Sequence, residues 1–396
     1  MVVTLAGLAM LGPFTIDTVF PAFKVMGTGF DVSPAAMQQV TGVYFATFAL
    51  MSVFHGPLSD ALGRKPVMIA GLLGFFAASI GCALSTNLTM LLIFRALQGM
   101  LVGAATIVGR VVIRDMHAGA QAQRLMSRVM TIFAIAPVVA PIIGGWLLLI
   151  GDWPVIFLFV AGYAAVLALV VWRVLPETLP AAGRQPMHVG ALLAGLWVVA
   201  KDLAFERLAF AAAATFAGYF IYVVGAPIVI VELLGLGEQD YWKLMAPMVM
   251  GMAGGAAIAG RLAYRLSAEE LVDRAMIGAI GAGALNLLIA VVWPGPPQAF
   301  IGPAMLGVAV GVAFPILQLR LLDLFPDRRG AAGSMGTFAS LMFNAALASV
   351  IVPLVSASLA TVALTGLVLV IIGAGLWRWH RIDDAEGQNS RVAMTE

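Results

Sequence analysis

Apolar runs of about 20 residues, the length at which a helix crosses a ~30 Å hydrocarbon core, recur along the whole sequence, with polar residues gathered between them. The pattern predicts twelve spans, at residues 2–24, 34–55, 67–85, 88–113, 125–150, 153–175, 207–234, 241–266, 272–293, 298–324, 330–355 and 358–379. They are numbered 1 to 12 in chain order. The expected fold is an all-α membrane protein. Span 1 is expected to be a retained helix and not a signal peptide, because it is long, lacks a basic leading region and carries Asp17 where a signal core is apolar.

Composition agrees with the pattern: 62% of the 396 residues are hydrophobic and 11% charged, against roughly 25% charged in a soluble domain. The net charge of +2 is small and the basic residues form no patch, so nucleic acid is not an expected partner. Cys82, the single cysteine, supports neither an intrachain disulfide nor a thiolate metal site. The four histidines, His55, His117, His188 and His380, lie near span ends or in loops, and no phosphate-binding glycine loop is present. No enzyme, metal or cofactor is expected.

Lys and Arg in short loops mark the cytoplasmic side. Only Lys24 and Lys243 fall on the opposite side, Arg95 lies within a span, and the remaining basic residues lie on or near the first side. Both termini are therefore expected to be cytoplasmic, with 381–396 as a tail. The stretch 176–206, with Pro176, Pro180, Gly183 and Pro186, is expected to link two six-span bundles, 1–175 and 207–380. The halves echo each other, since Gly99, Gly103 and Asp115 recur 208 residues later as Gly307, Gly311 and Asp323. Gly56, Leu58 and Ser59 have a weaker echo in Gly260, Leu262 and Ala263. Parallel repeats of this kind predict two bundles that rock about a central site. The same offsets place Tyr264 opposite Asp60 and Pro303 opposite Arg95, so the intramembrane ionic chemistry is confined to the N-terminal half.

Asp17 lies about six residues, roughly 9 Å, inside the outer end of span 1. A charge at such depth costs about 2.5–3.5 kcal/mol on insertion scales and calls for a cavity, a partner or a proton. Arg95 in span 4 lies roughly 10 Å deep by the same rise, so it is expected to pair with Asp17 or with backbone carbonyls near that level. Such a site, Asp17 and Arg95 together, suits proton coupling. Gln98, one turn along, is expected to extend the polar network. The stretch that includes Gly56, Asp60, Gly63, Arg64 and Lys65 reads as a tight charged turn after span 2, a conformational latch with Asp60 near a helix N-terminus. In span 5, Pro137, Pro141, Gly144 and Gly145 form a stripe of small or kinking residues. Gly251, Gly254 and Gly255 of span 8 offer it a matching surface.

These residues resemble the Major Facilitator Superfamily, and within it the twelve-span drug:proton antiporters. Gly56 to Lys65 is similar to the superfamily's loop 2–3 signature, and Arg95, Gln98, Gly99 and Gly103 to its span 4 motif. Ala136 to Gly145 is similar to the antiporter motif of span 5, which implies export, and Pro176, Glu177 and Thr178 to a further recurrent tag. Arg110, Arg114, Asp115, Ala226, Pro227, Leu234 and Gly235 resemble the bicyclomycin and chloramphenicol resistance branch. The resemblance implies a proton-coupled exporter of small amphipathic drugs or metabolites, a monomer in the bacterial inner membrane. A proton-coupled importer of a small metabolite is the rival reading. Phe14, Asp17, Tyr44, Phe48, Gln98, Tyr219, Tyr222, Met248 and Asn344 are the expected lining of an apolar substrate pocket with few polar handles.

Overall fold

A computed structural model describes residues 2–117 and 119–393. Every regular element among them is helical. Local chemistry fixes several boundaries: the Asn87 side chain accepts from the Met90 N–H at 2.9 Å to start Leu88–Met116. Ser267 and Glu270 form a reciprocal cap at Ala268–Val292.

Ten helices among the described residues are long and apolar enough to cross a membrane, and they include counterparts of spans 1, 3, 4, 6 and 7 to 12. Their outward surfaces are apolar: Ile277 is 72% exposed and Leu149, in a shorter helix, 69%, as lipid-facing side chains are and water-facing ones seldom are in bulk. Span 2 corresponds to Gln39–Leu62, which is long enough at 24 residues but diluted by Thr41, Thr47, Ser52 and His55, and is not one of the ten. Span 5 is broken into Gly119–Phe133 and Ala136–Ile150. The break falls just ahead of Pro137, which has no N–H to continue the ladder. Within the expected linker, Val189–Ala200 forms an apolar helix of 12 residues; at 1.5 Å per residue it extends about 18 Å, short of a ~30 Å core. The last helix continues through most of the expected tail to Ala393, and residues 394–396 lie outside the described residues.

The chain divides into two compact units. Unit 1 contains the chain up to His188, with Val224–Val249 and Asn344–Ser356; unit 2 contains Val189–Val223, Met250–Phe343 and the chain from Ala357. In unit 1, Leu8, Leu11, Tyr44, Phe75 and Phe157 are among the fully buried side chains. The later segments are tied to the earlier ones within this unit: the Tyr241 hydroxyl donates to the Phe20 carbonyl at 3.1 Å and Gln39 Nε2 to the Ser349 carbonyl at 2.8 Å. The core of unit 2 gathers Phe205, Leu208, Val272, Met276, Leu317, Leu321 and Trp377. There the Trp377 indole N–H finds Asp273 at 2.7 Å, which satisfies the one polar atom of a large buried side chain.

Candidate functional site

The first helix ends at Asp17, and a short tight turn, Phe20–Ala22, follows it. Pro21 explains the break, because it brings no N–H to the carbonyl four residues back, that of Asp17 itself. The turn tightens so that the Val19 N–H bonds the Ile16 carbonyl at 3.3 Å. The Thr15 carbonyl is thereby freed from its usual i+4 donor. Arg95 takes it: Nη1 donates to Thr15 O at 3.1 Å and to Gln98 Oε1 at 2.9 Å, and Nε donates to Val40 O at 3.0 Å. Gln98 passes the network on to Ser79 Oγ at 2.7 Å. The guanidinium also lies over the Tyr44 ring, 4.6 Å from its centroid.

Arg95, fully buried, thus gives its Nε and Nη1 hydrogens to two backbone carbonyls and a side-chain amide. Of the two kinds of partner the sequence allowed, the carbonyls are the ones realised. Asp17, 4% exposed, makes no hydrogen bond or ion pair among the described residues. The Tyr44 hydroxyl is buried too, beside the Thr15 side chain. The Asp17 carboxyl thus lies two residues from the Thr15 carbonyl that Arg95 holds, while the guanidinium gives its Nε and Nη1 hydrogens to other acceptors. A carboxyl of this kind can exchange a proton or receive a polar ligand atom, since no described residue already saturates it.

The remaining pocket candidates divide between the units. Phe14, Phe48, Met248 and Asn344 lie in unit 1, and Tyr219 and Tyr222 in unit 2. Phe14 packs with Ala136 and Ala140 and against the Tyr163 ring at 5.6 Å. Phe48 meets Tyr44 at 6.5 Å between ring centroids, and Met248 is fully buried. In unit 2 the Asn286 amide donates to the Tyr222 hydroxyl at 2.5 Å, and Tyr219 is 4% exposed.

The charged stretch after span 2 is narrower than its glycines suggest. The helix runs through Gly56 and Pro57 to Leu62, and the reversal rests on Gly63 alone, at φ 102°, a left-handed geometry that favours glycine. Arg64 is the hub: Nη1 reaches Asp60 at 2.5 Å and Ser59 Oγ at 2.6 Å, and Nε reaches Asp115 at 3.0 Å. Asp60 sits in the last turn of its helix, four residues before Arg64, so it pairs with the guanidinium. The helix N-terminus goes instead to Glu177, whose carboxylate accepts the backbone N–H of Arg64 at 3.0 Å and of Lys65 at 3.3 Å. Thr178 adds a hydrogen bond to Asp115 at 2.9 Å, and Lys65 Nζ reaches the Trp172 carbonyl at 2.7 Å.

The small stripe of span 5 serves close approach. A Cβ at Gly144 would run into the Thr18 carbonyl, one residue after Asp17, and one at Gly145 would meet the backbone of Glu238 at 3.1 Å. Pro137 starts its helix and Pro141 lies within it. Gly251 and Gly255 of span 8 pack on the carbonyls of Ala304 and Val308 in span 10, and Gly254 has open space.

Sequence reasoning found Arg95 and Gln98 but not the acceptors Thr15 and Val40, because a free carbonyl leaves no mark on residue type. Glu177 did leave a signal, the Pro-Glu-Thr stretch, but its contact with a helix start 113 residues earlier depends on the fold.

The chain is similar to known proteins over most of its length. A family model described as Major Facilitator Superfamily matches residues 5–346. The uncharacterized MFS-type transporter YdgK of Bacillus subtilis is 28% identical over 92% of this chain and 90% of its own length. The bicyclomycin resistance protein homolog of Haemophilus influenzae is 26% identical over 84% of each. Among solved structures, a bacterial homolog of the human lysosomal transporter Spinster, crystallised inward-facing and occupied, aligns with a TM-score of 0.72 at 15% identity over 96% of both chains. The chain thus resembles the bicyclomycin and chloramphenicol resistance proteins, and its apolar helices make it a multi-pass membrane protein. It belongs to the Major Facilitator Superfamily.

Proposed function

We propose that this protein is a proton-coupled exporter of small amphipathic drugs or related metabolites, working as a monomer by alternating access in a bacterial inner membrane. Twelve spans in two bundles, 1–175 and 207–380, with both termini and the 176–206 linker cytoplasmic, would give the rocking geometry. The drug class rests on the antibiotic and multidrug resistance proteins among the relatives.

One observation carries the reading: Asp17 is a buried carboxyl with no hydrogen bond or ion pair among the described residues, on a turn that Arg95 holds through the Thr15 carbonyl. In this surrounding the charged form of the carboxyl lacks compensation, so it takes up a proton. A movement of span 1 that opens it to water or to a cationic group stabilises the charged form, and the proton leaves. Arg95 then couples by position. It ties span 4 to the turn that bears Asp17 and to the start of span 2, so movement of either helix changes what the carboxyl faces. The Arg64–Asp60–Asp115–Glu177 cluster would lock the opposite end of the same helices between strokes.

The test uses inverted membrane vesicles with an acid interior. Adding an exported drug should dissipate the gradient with the wild-type protein and leave it intact with Asp17→Asn, at equal protein in the membrane. Drug-driven proton movement at the wild-type rate in Asp17→Asn would overturn the proton role.

A further inference from the structure

Away from Asp17, unit 1 contains a cavity of about 520 Å³ whose lining includes Lys24, Asp31, Gln38 and Glu232. Its volume lies within the ~300–1,000 Å³ range of small-molecule sites. Two features set it apart from an ordinary surface cleft. Gln38 is fully buried, and neither the nitrogen nor the oxygen of its carboxamide has a hydrogen-bond partner among the described residues. A buried amide with both ends unsatisfied is rare in a folded protein and calls for something to satisfy it. In addition, Lys24, Asp31 and Glu232 line one cavity yet make no ion pair with each other or with any other described residue.

Both signs of charge are thus held ready and apart, around a wall that includes Phe23, Met37 and Val231. A plain cation would leave Lys24 unanswered and a plain anion would leave two carboxylates unanswered. A zwitterion answers both, and the amide offers N–H donors on one side and a carbonyl acceptor on the other for its polar groups. We propose that this cavity is a binding site for a small zwitterion, an ammonium and a carboxylate carried on an apolar body. The site does not depend on the export reading, since it contains neither Asp17 nor Arg95.

The neighbouring residues give occupancy a route to the rest of unit 1. Gln39 holds the Ser349 carbonyl and the Val40 carbonyl holds Arg95, so consecutive residues face the cavity, the late segment of unit 1 and the buried guanidinium.

Three fluorescent probes with one apolar body test the proposal: dansyl-lysine, a zwitterion; dansylcadaverine, a cation; and dansyl-aminocaproate, an anion. They are titrated against the full chain in lipid nanodiscs, with empty nanodiscs subtracted. The expected result is that dansyl-lysine binds tightest, by at least about tenfold over either other probe, as loss of a charge-assisted contact implies. Lys24→Met and Glu232→Gln, both at exposed positions, should each remove that preference, and Gln38→Leu should weaken dansyl-lysine as well. Asp17→Asn should leave it unchanged. Equal binding of the three probes, a preference that survives both charge substitutions, or its loss in Asp17→Asn would overturn the site.

Discussion

Spans 2 and 4 and their counterparts, spans 8 and 10, solve the same packing problem with different chemistry. In the first pair a Cβ at Gly99 would meet the Tyr44 carbonyl and one at Gly103 the His55 ring. In the second, Gly251 and Gly255 lie against the Ala304 and Val308 carbonyls, and Gly311 against that of Met252. Small residues let two backbones approach, and where apolar surface on its own drives no association in lipid, that close packing is the main attraction. The echoed glycines are therefore accounted for in both halves.

The charges are not echoed. Where the first pair has Arg95 with three acceptors, the second has Pro303 in the first turn of its helix, a place that tolerates proline. Asp115 receives Arg64 and Thr178, while Asp323 has only Arg329 at 3.9 Å with both side chains exposed. Tyr264, opposite Asp60, is 93% exposed. The helix pair is thus a scaffold that works with or without buried charge, and the charge in the first pair has to be explained by something other than packing.

That contrast can be broken experimentally. The largest effect is expected at Asp17: Asp17→Asn should abolish proton-driven efflux while leaving the amount and melting temperature of the purified protein unchanged. Next comes Arg95→Lys, which retains the charge but cannot reach Thr15, Val40 and Gln98 together. Transport should fall steeply and stability by about 1–3 kcal/mol, the cost of buried acceptors left unmatched, as read by thermal unfolding. Pro303→Ala, at the matching position, should change neither. At the latch, Asp115→Asn should lower transport and thermal stability measurably, whereas Asp323→Asn should stay within about 0.5 kcal/mol, as expected of an exposed pair. The smallest effects separate the glycines: Gly251→Ala should destabilise the protein because its Cβ meets backbone, and Gly254→Ala should be neutral because nothing lies near it. Equal losses at matched positions of the two pairs would remove the distinction between scaffold and charge.

The apolar runs made most spans legible, because a helix in lipid is specified by its own residues and needs no partner. Two places resisted. Span 2 is a long helix whose polar positions dilute its signal, and span 5 is interrupted ahead of Pro137. In span 2 the polar positions lower the hydropathy, and in span 5 a proline brings no N–H to continue the helix ladder. The latch residues were visible as a cluster, but the exchange of roles between Asp60 and Glu177 was not, since 113 residues separate Arg64 from Glu177.

By itself the sequence determined that this is a helical membrane protein, and it pointed to an acid and a guanidinium buried in its first spans. Those properties are local or periodic and are written in residue types. Only the tertiary structure decided that Arg95 serves carbonyls and that, among the described residues, Asp17 has no counter-ion, Gln38 no hydrogen-bond partner and the three charges of one cavity no ion pair. The physical reason is that a buried polar group is satisfied by whichever atoms the packing of distant helices brings within about 3 Å. Backbone carbonyls, the commonest of those atoms, are the same in every residue.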